Sequence, residues 1–555
     1  MKWRVAVFQI FTSFFACMAT MAAAPYAWAD SAPPNPFLSA PVYAITHFDS
    51  AQTNDFPYPV STSAYNVNTL LPATPQVPAG PINLMTLAST DPNYMWGVSA
   101  TGVNYMSLAN NTLTAASLPY VLPSVTAPVL NLVTSLLSSP ITTLQQAQNI
   151  ISQLGLAGGG GLPSAYSVVD KNNILYTNYG SMIYAFGVNA LKQITVKGML
   201  NTGLFLQSGE SITGVVMTYD GKLVVLGSHS ATVVDPGGFN QGQSTYSGIM
   251  STQQINSGET ISNSAAVDPD GGIYIVSNAT MYKFVWTGTT LSNSASNGAW
   301  SSSYPSGDTY FTAFGSGSGS TPALMGFGSD PDQLVVITDG KARMHLVAFW
   351  RNGVPSGFTP PFPATPQIAG MIQVNCGLPA GQQIQTDQSV SVYNYGAFVV
   401  NNIAASNSGT TPLVDNLLRG TAIYPSPLGV ERFQWDTGSH SWSSVWSRPD
   451  ISSNSMVPAI SSGPGVSNTQ VFTSGNYGMT TGQGWVVTGM NWNTGATQFQ
   501  VVMGSSIVGN GFYGLIQFLP NGDLLFNSFV GPTRVRIPAS GSSACVPMAL
   551  TGICL

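Results

Sequence analysis

One local pattern recurs eight times between Asp91 and Pro538. Each copy opens with a turn rich in Asp, Asn, Gly or Pro and continues into β-branched and aromatic runs separated by a small polar gap. Such runs favour strands, and these turn residues favour tight reversals of the chain. The intervals between copies are roughly 50 to 80 residues, the range of a repeated β-sheet unit with insertions. The copies begin at Asp91, Asp170, Asp220, Asp268, Asp330, Tyr393, Pro458 and Pro520.

The repeat predicts an all-β fold, a β-propeller of seven or eight blades. A twisted four-stranded sheet cannot bury its faces alone, whereas a ring of such sheets buries each face against a neighbour and leaves only short edges. Two other all-β folds compete with this interpretation. A right-handed solenoid has shorter coils than these repeats, and two β-sandwich domains would not carry one turn-and-strand pattern along the whole chain.

Residues 1–29 have the features of a secretory signal peptide. Lys2 and Arg4 form a basic start, Val5–Ala24 is mostly apolar, and Ala27–Ala29 is a small-residue cleavage signal. The alternative is a retained membrane anchor, but a spanning helix needs about 20 consecutive apolar residues. We therefore expect cleavage near Ala29 and a mature chain, residues 30–555, that forms one propeller domain in the periplasm, outside the cell or on the outer membrane.

Charged residues make up only 6% of the chain, against about 25% in an ordinary soluble domain. Aliphatic and aromatic residues are plentiful, which argues against disorder, and uncharged side chains supply the polarity. Two of the 15 basic residues and none of the 21 acidic ones lie in residues 1–29, so the mature chain has a formal net charge of −8. This balance offers no basic stripe for nucleic acid.

We interpret the low charge as adaptation to acidic surroundings. At pH ~3 most carboxylates would be at least partly neutral, because their ordinary pKa values are about 4, and a surface solvated by uncharged groups changes least under such conditions. The alternative is ordinary drift toward Ser, Thr and Asn in a secreted protein.

Residues 125–161 interrupt the repeat. Their apolar side chains have helical spacing, with Pro128 and Pro140 near helix starts and Gly155 near a stop. The segment predicts a helical insertion between the first two blades. Such an insertion would cover one mouth of the ring, pack against a second subunit, or act as a lid over a central pocket.

The cysteines and histidines indicate neither a metal site nor a common catalytic motif. Cys545 and Cys554 could form a disulfide in an exported protein, and Cys376 is left as a buried, inert thiol or, alternatively, a functional one. The four histidines, at positions 47, 229, 345 and 440, have no metal-binding spacing. The sequence contains neither a nucleophile-elbow serine motif nor a phosphate-binding Gly-rich loop.

The densest cluster of charge lies in residues 326–352. Leu334–Thr338 predicts a strand, Asp339-Gly340 predicts a hairpin turn in which glycine accepts a positive φ, and Lys341–Trp350 predicts the return strand. Alternation along the return strand places three cationic side chains on one face beside the turn: Lys341, Arg343 and His345.

Asp339 is the first candidate for a catalytic residue that would orient or deprotonate an attacking water, and Asp332 is the second. In an acidic compartment histidine is protonated and cannot act as a base, whereas a carboxylate stabilised by cations and hydrogen bonds can stay ionised. The candidate substrate-binding residues are Lys341, Arg343 and His345, since the same cations would hold a dianion. The alternative is that Asp339 does no more than form a turn.

Two segments resemble tetrathionate hydrolases of acidophilic sulfur-oxidising bacteria: VYAITHFDSAQTNDFPYPV at residues 42–60 and SDPDQLVVITDGKARMHLVAFWRN at residues 329–352. The resemblance extends loosely over most of the mature chain. It implies a propeller of the quinone-dehydrogenase type without a quinone or other redox cofactor, and a homodimer. It also implies hydrolysis of tetrathionate to thiosulfate, sulfate and sulfur at acid pH, in the periplasm or at the outer membrane. That family depends on one essential aspartate, matched here by Asp339 with Asp332 second. The chain is longer than the family implies, which the insertion at residues 125–161 would explain.

Two other functions stay open. A non-catalytic exported propeller would bind a surface partner or glycan by stacking it on loop aromatics such as Trp435, Trp442, Trp446 and Trp492. A quinone-dependent oxidoreductase fits the predicted shape. However, members of that family resemble one another in an adjacent cysteine pair and a Ca²⁺-binding acidic set, and this chain has no Cys-Cys dipeptide.

Overall fold

The computed structural model of the protein describes residues 29–63, 67–68, 83–123, 143–153, 166–239, 248–308, 317–404, 426–477, 484–504, 509–528 and 531–537. This described part is almost entirely β-structure, with one α-helix and a few single-turn 3₁₀ helices. The 3₁₀ turns are Ala109–Asn111, Thr202–Leu204, Pro236–Gly238 and Ala295–Asn297.

Eight sheets follow one another along the chain and form the blades of a propeller. Two short strands precede them, β1 (Asp55–Phe56) and β2 (Val67–Asn68). Blade 1 contains β3 (Asn83–Ala88), β4 (Tyr94–Ser99), β5 (Gly102–Ser107), β6 (Thr114–Ala115) and β7 (Tyr120–Val121). Blade 2 contains β8 (Val168–Val169), β9 (Leu175–Tyr179), β10 (Met182–Val188) and β11 (Ile194–Asn201). Blade 3 contains β12 (Ile212–Met217), β13 (Leu223–Gly227), β14 (Ser230–Val234) and β15 (Ile249–Gln254). Blade 4 contains β16 (Ala266–Val267), β17 (Gly272–Val276), β18 (Thr280–Trp286), β19 (Leu291–Ser292) and β20 (Trp300–Ser303).

The second half of the ring continues in the same order. Blade 5 contains β21 (Ala323–Met325), β22 (Leu334–Thr338), β23 (His345–Trp350) and β24 (Ile368–Gln373). Blade 6 contains β25 (Ser391–Tyr393), β26 (Gly396–Val400), β27 (Leu428–Asp436) and β28 (Ser441–Ser452). Blade 7 contains β29 (Met456–Ser461), β30 (Gln470–Asn476), β31 (Trp485–Asn491) and β32 (Thr497–Gly504). Blade 8 contains β33 (Gln517–Phe518), β34 (Leu524–Ser528) and β35 (Gly531–Val535). The predicted all-β propeller is confirmed, with eight blades.

Most of the repeated turns of the sequence join the first strand of a blade to its second. Asp170 and Asp268 illustrate why aspartate suits this position. Oδ1 of each accepts two backbone N–H bonds, from the residues two and four positions later, at 2.7–3.0 Å. Oδ2 accepts a tyrosine hydroxyl six positions later, from Tyr176 at 3.2 Å and from Tyr274 at 2.7 Å. The side chain thus satisfies the turn's backbone donors locally, and the pattern can be recognised from the sequence.

The blades pack face to face through aliphatic strands. β13 and β22 are buried along their whole length, because both faces of these strands are covered. Each fully buried Val or Leu contributes about 1.5–3 kcal/mol, so the stacked faces dominate the stability of the ring. The ring closes between blades 8 and 1, where Gln517 Nε2 donates to Thr86 O at 3.0 Å and Arg534 Nη1 donates to Leu108 O at 3.2 Å.

An N-terminal segment, residues 42–56, lies along the inside of the ring, and we call it the axial segment. Tyr43 Oη donates to Phe518 O in blade 8 at 3.0 Å. Asn35, just before the segment, donates through Nδ2 to Met217 O in blade 3 at 3.1 Å. The first strands of the other six blades each donate one backbone N–H to a carbonyl of the segment, at 2.7–2.9 Å. The donor–acceptor pairs are Ala88–Tyr43, Val169–Ala44, Val267–Ser50, Leu324–Ala51, Val392–Thr53 and Ile460–Asn54.

The sequence predicts a strand at Val42–Asp49, and this prediction is wrong. The segment has positive φ at several non-glycine residues, including His47, Phe48 and Asn54. Its partners are strands arranged in a circle, so its direction must change every few residues, which a regular strand cannot do. Only β1 pairs regularly, parallel to β29, while β2 pairs parallel to β32, and blade 7 therefore belongs to a six-stranded sheet.

α1 (Leu144–Gln153) lies between blades 1 and 2 in the chain, where the sequence predicts a helical insertion. The remainder of residues 125–161 lies largely outside the described residues, as do residues 1–28, Cys545 and Cys554. Among the helices that are described, none is long and apolar enough to cross a bilayer.

Candidate functional site

Residues 326–352 belong to blade 5, and the turn that carries Asp339 lies on the face where the chain enters each first strand. β22 ends at Thr338 as predicted, but β23 begins at His345, four residues later than predicted. Residues 339–344 form a wide turn instead of a two-residue hairpin. The cause is the chain that leads into blade 6, since Met344 N donates to Ile384 O at 3.0 Å and Ile384 N donates to Ala342 O at 2.9 Å.

Gly340 does not have the positive φ expected of a hairpin turn. A Cβ at this position would lie 2.8 Å from Gly317 Cα and 3.1 Å from Ser306 Cα. The turn therefore needs glycine because two other backbone segments approach it closely, and the expected reason for glycine is corrected.

Asp339 and His345 form a carboxylate–imidazole pair. Asp339 is fully buried, and its Oδ2 lies 2.6 Å from His345 Nδ1. Its Oδ1 accepts the backbone N–H groups of Lys341 at 3.2 Å and of His345 at 2.9 Å. The His345 side chain keeps 22% of its surface exposed, and its Nε2 has no hydrogen-bond partner among the described residues. The pair thus presents one imidazole nitrogen outward, backed by a carboxylate that accepts three hydrogen bonds.

Lys341 and Arg343 do not contact the Asp339 carboxylate with their charged groups, so the expected row of three cations is reduced to His345. Both residues precede β23, and strand alternation therefore does not orient them. Lys341 Nζ lies 3.0 Å from Asp308 Oδ1 in a partly exposed pair, which water screens, so Lys341 can exchange Asp308 for another anion. The Arg343 guanidinium instead binds the following loop, donating to Pro379 O, Gln382 O and Asn375 Oδ1 at 2.8–3.1 Å.

Gln385, which the sequence analysis did not single out, holds the turn in place. It is fully buried, and its Nε2 donates to the carbonyls of Asp339 at 3.1 Å and Lys341 at 2.8 Å. Its own carbonyl accepts N–H bonds from Asn402 and Ile403 in blade 6 at 3.1 Å. In a chain rich in uncharged polar residues, no local sequence signal distinguishes this glutamine from the others.

The substitution Gly340→Ala is expected to displace the turn that carries Asp339. The atoms in its way are backbone atoms that cannot rotate aside, so we expect a loss of about 1–3 kcal/mol in the free energy of unfolding. Urea unfolding would measure it. Gly438→Ala is the matched control, because its Cβ would approach only the Asp436 carboxylate, at 3.2 Å. Equal stabilities of the two variants would contradict the steric argument.

Asp332, the second catalytic candidate, lies at the opposite end of β22 from Asp339, about 20 Å away for a rise of about 3.3 Å per residue. It is 1% exposed, and its Oδ2 lies 2.7 Å from Trp435 Nε1 and 2.9 Å from His440 Nδ1, both in blade 6. Asp220 makes an equivalent bond from blade 3 to Trp286 of blade 4, at 2.8 Å. The two candidate aspartates therefore do not share one site, and Asp332 joins adjacent blades.

Asp332→Asn is expected to lower the free energy of unfolding by about 2 kcal/mol, because a buried charged acceptor of two hydrogen bonds is lost. Guanidinium unfolding at neutral pH would measure the change. Asp270→Asn serves as the control, since Asp270 is exposed in the corresponding turn of blade 4. We expect the control to stay within about 0.5 kcal/mol of the parent. An unchanged Asp332→Asn protein would show that this inter-blade contact contributes nothing.

Several other sequence candidates are enclosed in the blades. Cys376 is fully buried, and burial raises the pKa of its thiol, which disfavours a reactive thiolate. Trp435, Trp442 and Trp492 are buried, and Trp446 donates from Nε1 to Trp492 O at 2.8 Å. Trp435, Trp442 and Trp492 therefore pack within and between blades and are not available to stack on a ligand, whereas Trp446 is partly buried.

The donor set does not fit a calcium–quinone centre of the kind found in quinone-dependent dehydrogenases. The described residues contain no group of three His, Cys, Asp or Glu side chains placed to bind a metal ion. The adjacent cysteine pair of such enzymes has no counterpart in the sequence.

Comparison with known proteins establishes a relative and the fold. An uncharacterized protein of Archaeoglobus fulgidus is 30% identical over 383 residues, which cover 68% of this chain and 70% of the relative. The fold is similar to that of quinohemoprotein alcohol dehydrogenase from Comamonas testosteroni, with a TM-score of 0.53 and 10% identity, covering 92% of this chain and 83% of that one. At this identity the likeness shows the propeller fold alone. No protein-family model matches the sequence.

Proposed function

The chain belongs to the same protein family as the uncharacterized Archaeoglobus fulgidus protein, and we propose that it is an acid-active hydrolase of tetrathionate or a closely related polythionate. The Asp339–His345 pair carries the proposal. It places an imidazole nitrogen, backed by a buried carboxylate, on the face where inter-blade loops converge, and such loop clusters commonly carry binding and catalytic residues. The low content of charged residues, 6%, and the resemblance of residues 42–60 and 329–352 to tetrathionate hydrolases support the same function.

His345 is the residue that faces the substrate, and Asp339 holds it. In the proposed reaction the Nε2–H of the His345 imidazolium donates a charge-assisted hydrogen bond to a sulfonate oxygen or to a departing sulfur anion. Asp339 fixes the orientation of the ring and balances its charge. We assign Asp339 this role rather than direct activation of water, because its side chain is buried and both of its oxygens are engaged.

The reaction needs no redox partner. Water attacks a terminal sulfonate sulfur, the adjoining S–S bond breaks, and the electron pair leaves with the three-sulfur fragment, which His345 protonates from Nε2. The balance is S₄O₆²⁻ + H₂O → HS₃O₃⁻ + HSO₄⁻, and HS₃O₃⁻ then releases one sulfur atom to leave thiosulfate and a proton. The attacking water supplies the proton that restores the imidazolium. Lys341 can add a second positive charge once the anion displaces Asp308.

The test is to incubate the purified mature chain with tetrathionate at pH ~3 and pH ~7, where ordinary carboxylates and histidines change charge, and to measure thiosulfate and sulfate by ion chromatography. We expect equal amounts of both products at the acid pH and far less at neutral pH. Absence of turnover at both values would refute the function. The proposal includes export to an acidic compartment. It also includes a homodimer, and light scattering of the mature chain would test this oligomeric state.

A further inference from the structure

His47 is a buried titratable residue that the proposed reaction does not use. It lies in the axial segment, is 3% exposed, and has its Nδ1 2.8 Å from Asn54 Oδ1. Because that oxygen only accepts, Nδ1 carries a hydrogen and the second nitrogen, Nε2, is left to protonate. The partner nearest to Nε2 is Ser389 Oγ, at a long 3.4 Å. Asn54 is fully buried, and its Nδ2 has no hydrogen-bond partner in the described structure.

The surroundings of His47 belong to the same face of the ring as the Asp339–His345 pair. Ser389 Oγ also accepts the backbone N–H of Thr321 at 3.0 Å. The residue before Thr321, Ser320, shares a 2.5 Å hydrogen bond with Thr338, which directly precedes Asp339. The ring of Tyr166, which is half-buried, packs against the His47 ring in a tilted arrangement, with 5.9 Å between the ring centroids. His47 and the turn of blade 5 are thus connected through the loops that enter blades 5 and 6.

A polythionate is a dianion with two sulfonate ends, and the Asp339–His345 pair serves one of them. We propose that His47 and Asn54 form a second subsite, on the propeller axis, for a tetrahedral sulfur oxyanion such as sulfate or the far sulfonate of a polythionate. The choice of this oxyanion rests on the proposed function. The two donors are the protonated Nε2 of His47 and the unpartnered Nδ2 of Asn54. Both side chains are buried from water, so the hydrogen bonds that they donate to an anion are strong.

Binding at the subsite is linked to protonation of His47. Burial lowers the pKa of His47 to about 4, and the hydrogen bond that His47 donates to Asn54 acts in the opposite direction. An anion beside the ring favours the imidazolium, so it raises this pKa, and acid in turn strengthens anion binding. Tyr166, whose ring lies beside His47, is titratable, and burial raises its pKa to about 12. Asp387 acts on Tyr166, and Asp49 and Asp55 are the other titratable groups of the axial segment.

The test follows the four histidines by NMR in the full mature chain labelled at histidine Cε1, titrated from pH ~3 to ~8 with sodium sulfate or with sodium chloride of equal ionic strength. We expect sulfate to raise the His47 midpoint by about one pH unit, which corresponds to about tenfold tighter sulfate binding to the protonated form. The exposed His229 is the internal control and should not move. Single His→Gln substitutions assign the signals, and if His47→Gln does not fold, substitution of the other three assigns His47 by elimination.

An unmoved His47 midpoint, or equal shifts at His47 and His229, would overturn the subsite. A second measurement is kinetic: His47→Gln should raise KM for tetrathionate about tenfold with little change in kcat, whereas His229→Gln should change neither. Turnover of tetrathionate without a sulfate-dependent shift would remove the subsite and leave the proposed function. A shift without turnover would retain the subsite and remove the function.

Discussion

Asp339→Asn is expected to lower kcat for tetrathionate hydrolysis by about 10²–10³-fold, the range typical for losing a residue that stabilises charge in the transition state. Asparagine keeps the size of the side chain and an oxygen that can accept the backbone N–H bonds of Lys341 and His345. It removes the negative charge that lies 2.6 Å from His345 Nδ1. The imidazolium then loses its counter-charge and its fixed orientation, so proton donation from Nε2 fails. Thiosulfate formation at pH ~3, where ordinary carboxylates are at least partly neutral, measures the loss.

Asp332→Asn is the matched comparison, because it makes the same chemical change at the other end of β22. We expect this variant to lose stability but to keep its kcat wherever it remains folded. His345→Gln should reproduce the Asp339→Asn loss, and the double variant should lose little more, because residues that act as one unit are not additive. Full activity in a folded Asp339→Asn protein would exclude the carboxylate–imidazole pair from the mechanism.

The repeat was predictable because its determinants are local. An aspartate such as Asp170 or Asp268 accepts hydrogen bonds from backbone N–H groups only two and four residues later. The turn can therefore be recognised from a few consecutive residues of the sequence. The boundaries of β22 were predictable for the same reason. The start of β23 was not, because residues 342–344 pair with Ile384, about 40 residues downstream in the chain.

The partners of the candidate site are set by contacts that no local pattern contains. Lys341 binds Asp308, and Arg343 binds carbonyls of the loop before blade 6. The axial segment is the extreme case, since its partners extend from Ala88 to Phe518. The resemblance marked residues 42–60 without indicating what they do. In the structure they connect the first strands of the blades and bring His47 to the axis.

The axial segment makes a second strong prediction, on the pH dependence of stability. Burial raises the pKa of Asp49 to about 6. As the pH rises, the folded chain therefore keeps a proton on Asp49 that the unfolded chain releases near pH 4. The stability that this proton contributes is full below pH ~4 and is lost as the pH rises to ~6. Asp49→Asn removes the cost of a buried charge. We therefore expect the variant to be more stable than the parent at pH ~7, by as much as about 3 kcal/mol, and nearly equal to it at pH ~4. Asp49 is half-buried, so this figure is an upper limit.

His47 acts in the opposite direction on the same segment. Burial lowers its pKa to about 4. As the pH falls, His47 is therefore protonated near pH 6.5 in the unfolded chain but only near pH 4 in the folded chain. Its contribution is therefore full at neutral pH and falls by up to about 3 kcal/mol as the pH drops through this window. In the parent protein the contributions of Asp49 and His47 to the free energy of unfolding offset each other between about pH 4 and 6. Burial also raises the pKa of Asp55, so Asp55 changes stability with pH in the same direction as Asp49.

The two single variants separate these opposing contributions. Guanidinium unfolding at pH ~4 and ~7, the two ends of the titration window, should give a gain for Asp49→Asn that is confined to the neutral pH. The His47→Gln variant should instead have a higher free energy of unfolding at the acid pH than at the neutral pH. Asp270→Asn, at an exposed turn, should show neither pattern. Parallel pH profiles for all variants would mean that neither axial group changes its protonation on folding. In that case the backbone hydrogen bonds alone would hold the axial segment in position.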